Sequence, residues 1–105
     1  MSDLTDAKRR RFLQSAGIDN QRSKYLACLG QGIESAKTQN MPAEALEAHL
    51  RQSCASVESS FEAALIAFDV KNKVSRSRAA SDAQMQVDDF VSSKVSRYKA
   101  QLAVK

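Results

Sequence analysis

A chain of 105 residues with 16 basic and 12 acidic side chains, net charge +4, supports one domain with a modest core. Its longest apolar run, Ala63 to Phe68, is six residues, far short of the roughly 20 that a membrane-spanning helix needs. Tryptophan is absent, proline occurs once and glycine three times; strand formers are sparse and no alternating pattern runs far, so the sequence predicts an all-α fold.

Residues 1–18 read as a short basic N-terminal helix or arm. Thr5 or Asp6 can cap a helix that runs to Ser15, and Gly17 is a natural stop. Phe12 and Leu13 are its only sizeable apolar groups, and a segment this short is marginal alone in water. Arg9-Arg10-Arg11-Phe12-Leu13 has the look of a twin-arginine export signal, but Asp19, Asn20, Gln21, Arg22 and Lys24 follow where an apolar stretch is required.

Residues 19–70 read as a helical hairpin. Its first arm starts at Asp19 or Asn20 and runs to about Lys37, with Tyr25, Cys28, Leu29, Gly32, Ile33 and Ala36 on one stripe. Thr38-Gln39-Asn40-Met41-Pro42 then stops one helix and starts another: Asn tolerates the left-handed backbone of a helix end, and Pro suits a first turn. So short a connection makes the arms antiparallel neighbours. The second arm is expected from Pro42 to about Val70, with a stripe of Leu46, Leu50, Cys54, Val57, Phe61, Ala64 or Leu65, and Phe68.

Residues 71–105 read as an amphipathic basic C-terminal helix. Residues 71–78 interrupt the stripe with Lys71, Lys73, Arg76 and Arg78, and Ser81 with Gln84 fits a capping box for a helix starting near Ser81. Its stripe is Ala83, Val87, Phe90 or Val91, Val95, Tyr98 and Leu102. Charge is uneven along the chain: residues 1–33 hold six basic and three acidic groups, 34–69 two and six, and 70–105 eight and three. The blocks either neutralise one another within a fold or present a basic surface to an acidic partner.

Cys28 and Cys54 are equidistant from position 41, the turn itself, so an antiparallel hairpin sets them level on facing stripes. Packed helix axes lie about 8–10 Å apart, whereas a disulfide wants Cα atoms about 5.5–6 Å apart. The small neighbours Ala27, Gly30, Gly32, Ser53, Ala55 and Ser56 permit that approach. A bridge closing this loop is worth roughly 3–4 kcal/mol; the other reading is two buried free thiols in a reduced cytosol. The chain begins Met1-Ser2-Asp3, so a bridge implies a leader removed before this numbering or another route into an oxidising compartment.

Tyr25-Leu26-Ala27-Cys28-Leu29, a turn, then Cys54 and Phe61 resemble the coiled-coil–helix–coiled-coil–helix proteins of the mitochondrial intermembrane space. The likeness covers roughly residues 20–70. It implies a disulfide-stapled hairpin without a cleaved presequence, serving as an accessory subunit or assembly factor of a respiratory complex. That family carries two cysteines per helix with nine residues between them; the matching positions here hold Ile18 or Thr38 and Glu44 or Ala64. A one-bridge relative is implied, and a short exported bacterial protein of periplasm or exterior fits the same hairpin.

Catalytic chemistry finds little support in the sequence. His49 is the lone histidine, near the edge of the apolar stripe, and it lies five residues from Cys54 on a helix, which turns the two apart. Cys28, Cys54 and His49 give three metal ligands at most. Asp88-Asp89 diverge, and Glu58 with Glu62 read as solvated or lysine-paired. No catalytic residue, cofactor, metal or small-molecule substrate is therefore expected. The expected role is a non-catalytic scaffold, an accessory subunit that binds other protein subunits or itself through Phe61, Leu65, Phe68, Phe90 and Leu102. If α-helix 71–105 folds back, it covers that face instead. The rival role is nucleic-acid binding through Lys8, Arg9, Arg10, Arg11, Lys71, Lys73, Arg76 and Arg78.

Overall fold

A computed structural model describes the backbone of residues 2–104 and the side chains of residues 17–104. Four helices follow in order: α1 (Ser2–Thr38), α2 (Ala43–Ser53), α3 (Ala55–Lys71) and α4 (Arg76–Ala103). The fold is all-α, an antiparallel hairpin of α1 against α2 and α3, with α4 returning alongside both arms. Thirty-seven residues of α1 at about 1.5 Å each span nearly the whole 59 Å long axis, and the cross-section is 26 × 22 Å. The radius of gyration of 16.9 Å exceeds the roughly 13 Å of a compact chain of this length, as a one-layer bundle requires.

Three boundaries correct the sequence reading. Gly17 does not stop a helix: the N-terminal segment and the first hairpin arm are one continuous α1. Glycine only weakens a helix by about 1 kcal/mol, and Ile18, buried beside the core, anchors the backbone at that point. The second arm is not one helix. It breaks at Cys54 (φ −112°, ψ 17°), which ends α2 and opens α3. Helical hydrogen bonds still enter and leave this residue, Cys54 N–H to Leu50 O at 3.0 Å and Glu58 N–H to Cys54 O at 2.9 Å, so the break is a kink and not a turn. Finally, α4 begins at Arg76 instead of near Ser81. Ser75 is its N-cap and accepts the Arg78 N–H at 3.2 Å.

Both corners are built the same way. At the first, Met41 N–H reaches Ala36 O at 2.9 Å and Asn40 N–H reaches Lys37 O at 3.1 Å, with Asn40 at φ 53°. At the second, Val74 N–H reaches Asp69 O at 2.9 Å and Lys73 N–H reaches Val70 O at 3.1 Å, with Lys73 at φ 69°. These paired bonds around one left-handed residue are the Schellman closure, which satisfies the last carbonyls of a helix. Pro42 then stands just outside α2 as its N-cap, with φ −67°.

The core runs along the bundle axis: Tyr25, Leu29 and Ala36 from α1, Leu46 and Leu50 from α2, Phe61 and Leu65 from α3, Ala83, Val87 and Tyr98 from α4. A Cβ at Gly32 would stand 2.7 Å from Leu50 Cδ2. The bare Cα there makes room for the Leu50 side chain between α1 and α2, close to the cysteines.

Candidate functional site

Cys28 on α1 and Cys54 at the α2–α3 kink form a disulfide, with Cα atoms 5.9 Å apart. The level placement follows from the turn at residues 38–42, and the close approach follows from Gly32 against Leu50. Cys54 is buried and Cys28 half-buried, so the bridge lies at the edge of the core.

A polar clamp lies beside the bridge. Arg51 on α2 donates to Asp88 on α4 at 2.9 Å and to Glu47 at 3.3 Å, and its other guanidinium nitrogen lies 3.6 Å from Glu58 on α3. Gln84 donates to the same Asp88 oxygen at 3.0 Å. Glu58 in turn accepts the Tyr25 hydroxyl of α1 at 3.2 Å. One arginine thus links α2, α3 and α4, and one glutamate carries the link to α1. Below it Tyr25 stacks on Phe61 at 5.7 Å between centroids, Phe90 closes edge-on to Tyr25 at 6.3 Å, and Arg22 lies over the Phe61 ring at 5.6 Å. At the far end the Tyr98 hydroxyl donates to Met41 O at 2.6 Å, fastening α4 to the first corner.

The ionisation of these groups reports the clamp. The Arg51 and Gln84 hydrogen bonds hold the Asp88 carboxyl below its usual range. Glu62 is pushed up, first by burial and then by the neighbouring Glu58 and Asp88 charges. Tyr25 is pushed well above the ordinary phenol range by burial, then by the Glu58 charge and hydrogen bond, so it stays a donor.

The apolar residues expected to bind a partner are placed otherwise. Phe61 and Leu65 are core residues, and Phe68 and Phe90 are half-buried against that core. The returning α4 covers the α3 face and lays its own Phe90 against Phe61, because α4 is long enough to reach back to the first corner. Only Leu102 remains exposed, beside Lys37, Tyr98 and Gln101, which line a shallow groove. Lys71, Lys73, Arg76 and Arg78 are brought together, all exposed, at the α3–α4 corner. The side chains of Lys8, Arg9, Arg10 and Arg11 lie outside the described residues. His49 is half-buried on α2, with Nε2 enclosed and unpartnered among the described residues. No cluster of three histidine, cysteine or carboxylate ligands occurs among the described residues.

The sequence reading missed the clamp. One signal was present: Arg51 is the sole basic residue between Lys37 and Lys71, flanked by acidic residues and next to Leu50 of the apolar stripe. The fold and bridge define a disulfide-stapled antiparallel three-arm helical bundle. Comparison with known proteins returns no matching family model, no similar curated protein and no similar solved structure.

Proposed function

We propose that the chain is a non-catalytic scaffold of an oxidising compartment, an accessory subunit that holds its place in a larger assembly through its outer helix faces. The observation that carries this reading is the commitment of the polar groups bordering the core to joining helices. Tyr25, Arg51, Glu58 and Asp88, the residues a reactive site would recruit, bind one another across four helices. The disulfide supports the compartment, since such bridges persist where thiols are not kept reduced. The intermembrane space and the bacterial periplasm both meet that condition, and the one-bridge likeness to twin-cysteine hairpins favours the former.

The test is the size of the native particle. In a gently prepared extract of the source cells, the chain is expected to migrate well above its 11.5 kDa mass. Its migration as a free monomer would contradict the accessory-subunit reading. A second reading, binding to an acidic polymer, is favoured by one observation, the exposed cations at the α3–α4 corner.

A further inference from the structure

The α3–α4 corner concentrates positive charge at one turn of the bundle. Lys71 ends α3, Lys73 sits at the left-handed position of the turn, and Arg76 and Arg78 occupy the first turn of α4; all four are exposed. The two helices are antiparallel and joined by only residues 72–75, so these side chains cluster around one short turn. From residue 70 to residue 81 there is no acidic residue. Helices α2 and α3 place Glu44 and Glu58 in their first turns, as the helix dipole favours, whereas the first turn of α4 has none. Among the described residues the one ion pair of these four cations is Arg78 with Asp82, at a long 3.9 Å. Like charges here repel one another and the α4 dipole together, and a polyanion outside the chain relieves both.

The chemistry of the corner separates the candidate polyanions. Among the described residues it lacks an exposed aromatic ring on which a base would stack. Val70 and Val74 are half-buried, so among the described residues no valine of this turn stands free to insert into an apolar phase. A planar array of phosphate headgroups fits a cationic corner. The disulfide is compatible with this, because an oxidising compartment is bounded by a membrane, an extended array of phosphate headgroups.

We propose that the α3–α4 corner is a docking surface for anionic phospholipid headgroups, which holds the protein at a bilayer through Lys71, Lys73, Arg76 and Arg78. Attachment is electrostatic and reversible, and it leaves the sides of the bundle free for protein partners. The inference borrows from the proposed function only the oxidising compartment. Free thiols in the native protein would remove that reading while the vesicle result stood on its own.

The test uses the full oxidised chain in flotation with vesicles of phosphatidylcholine, with or without about one third phosphatidylglycerol. Each basic residue near such a surface strengthens binding by about fivefold. Lys71→Gln/Lys73→Asn/Arg76→Gln is therefore expected to weaken binding by on the order of 100-fold. The control Lys24→Gln/Arg97→Gln/Lys99→Gln, three exposed cations away from the corner, has the same net charge and is expected to bind within a few-fold of the parent. Parent binding should also vanish at about 1 M salt, where the screening length is about 3 Å. Circular dichroism checks that both variants fold, and the salt series on the parent tests the attachment without any variant. The proposal is overturned if the parent ignores phosphatidylglycerol at low salt, or if the control loses as much as the corner variant. It is overturned equally if the parent binds duplex DNA more tightly than it binds phosphatidylglycerol vesicles of matched phosphate content at the same salt, which would assign the corner to nucleic acid.

Discussion

Two glycines on one helix separate backbone cost from packing need. Gly30 has open space where a Cβ would stand, whereas at Gly32 it would meet Leu50 Cδ2 at 2.7 Å. Gly30→Ala should stabilise the fold by about 0.5–1 kcal/mol, the ordinary helix-interior gain. Gly32→Ala receives the same gain but overpacks the α1–α2 contact by about 1–3 kcal/mol, so it should be neutral to destabilising. Urea unfolding of the pair reads the difference; equal stabilisation at both sites would refute the close approach. The Arg51 clamp sets the pH response. The folded pKa of Asp88 is depressed, so its contribution is fully present above the unfolded value of about 3.9 and is lost as pH falls through the folded value. The folded pKa of Glu62 is raised, so its contribution has the opposite sign: fully present below the unfolded value of about 4.3 and lost as pH rises through the folded value. Stability should therefore be level or rise slightly on mild acidification, then fall below about pH 4. Asp88→Asn should lower neutral stability and flatten the acid limb, measured by urea unfolding across pH. Arg51 was legible only as a lone cation in an acidic block. Its partner Asp88 lies 37 residues away, and helix period alone does not reveal such a pairing.

At the scale of elements, the two corners show what a sequence reveals and what it hides. Both close by the same hydrogen bonds around a residue of positive φ. Asn40 is one of the few side chains that adopt that backbone readily, and with Pro42 behind it the first corner reads directly from the chain. The second corner gives that position to Lys73, which carries no such signal, so the interruption at residues 71–78 was legible but its hinge was not. A β-carbon in the left-handed region costs about 1–2 kcal/mol. Lys73→Asn should recover part of that, raising stability by about 0.5–1 kcal/mol, and a loss of stability in thermal melts would contradict the turn geometry. The start of α4 was misplaced because Ser75, Ser77 and Ser81 all offer capping oxygens. Only Ser75 follows a helix already closed by Val74, and its oxygen takes the Arg78 N–H. The Cys54 kink was invisible for a different reason: the apolar stripe passes through it unbroken, and the break falls where the backbone is tied to α1 by the bridge.

For the whole molecule, the returning α4 decides which surfaces remain for function. Of the expected apolar partner face, Phe61 and Leu65 become the bundle's own core, with Phe61 stacked on Tyr25, and Phe68 and Phe90 pack half-buried against it. Among the described residues the large apolar side chains left exposed are Met85, Leu102 and Val104, and the α3–α4 corner is basic. The long one-layer shape buries less surface than a compact domain of this length would. A bridge between residues separated by 26 positions, worth roughly 3–4 kcal/mol, is then a large share of a stability of about 5–15 kcal/mol. This is why the account depends on the bridge more than on any other feature. The most direct test is the intact mass of the protein, taken from its source under acid quench and treated with a thiol reagent without reductant. The account predicts a chain two hydrogens lighter than its sequence, with no label until it is reduced and two labels afterwards. A chain at full sequence mass that takes up two labels before reduction would contradict it.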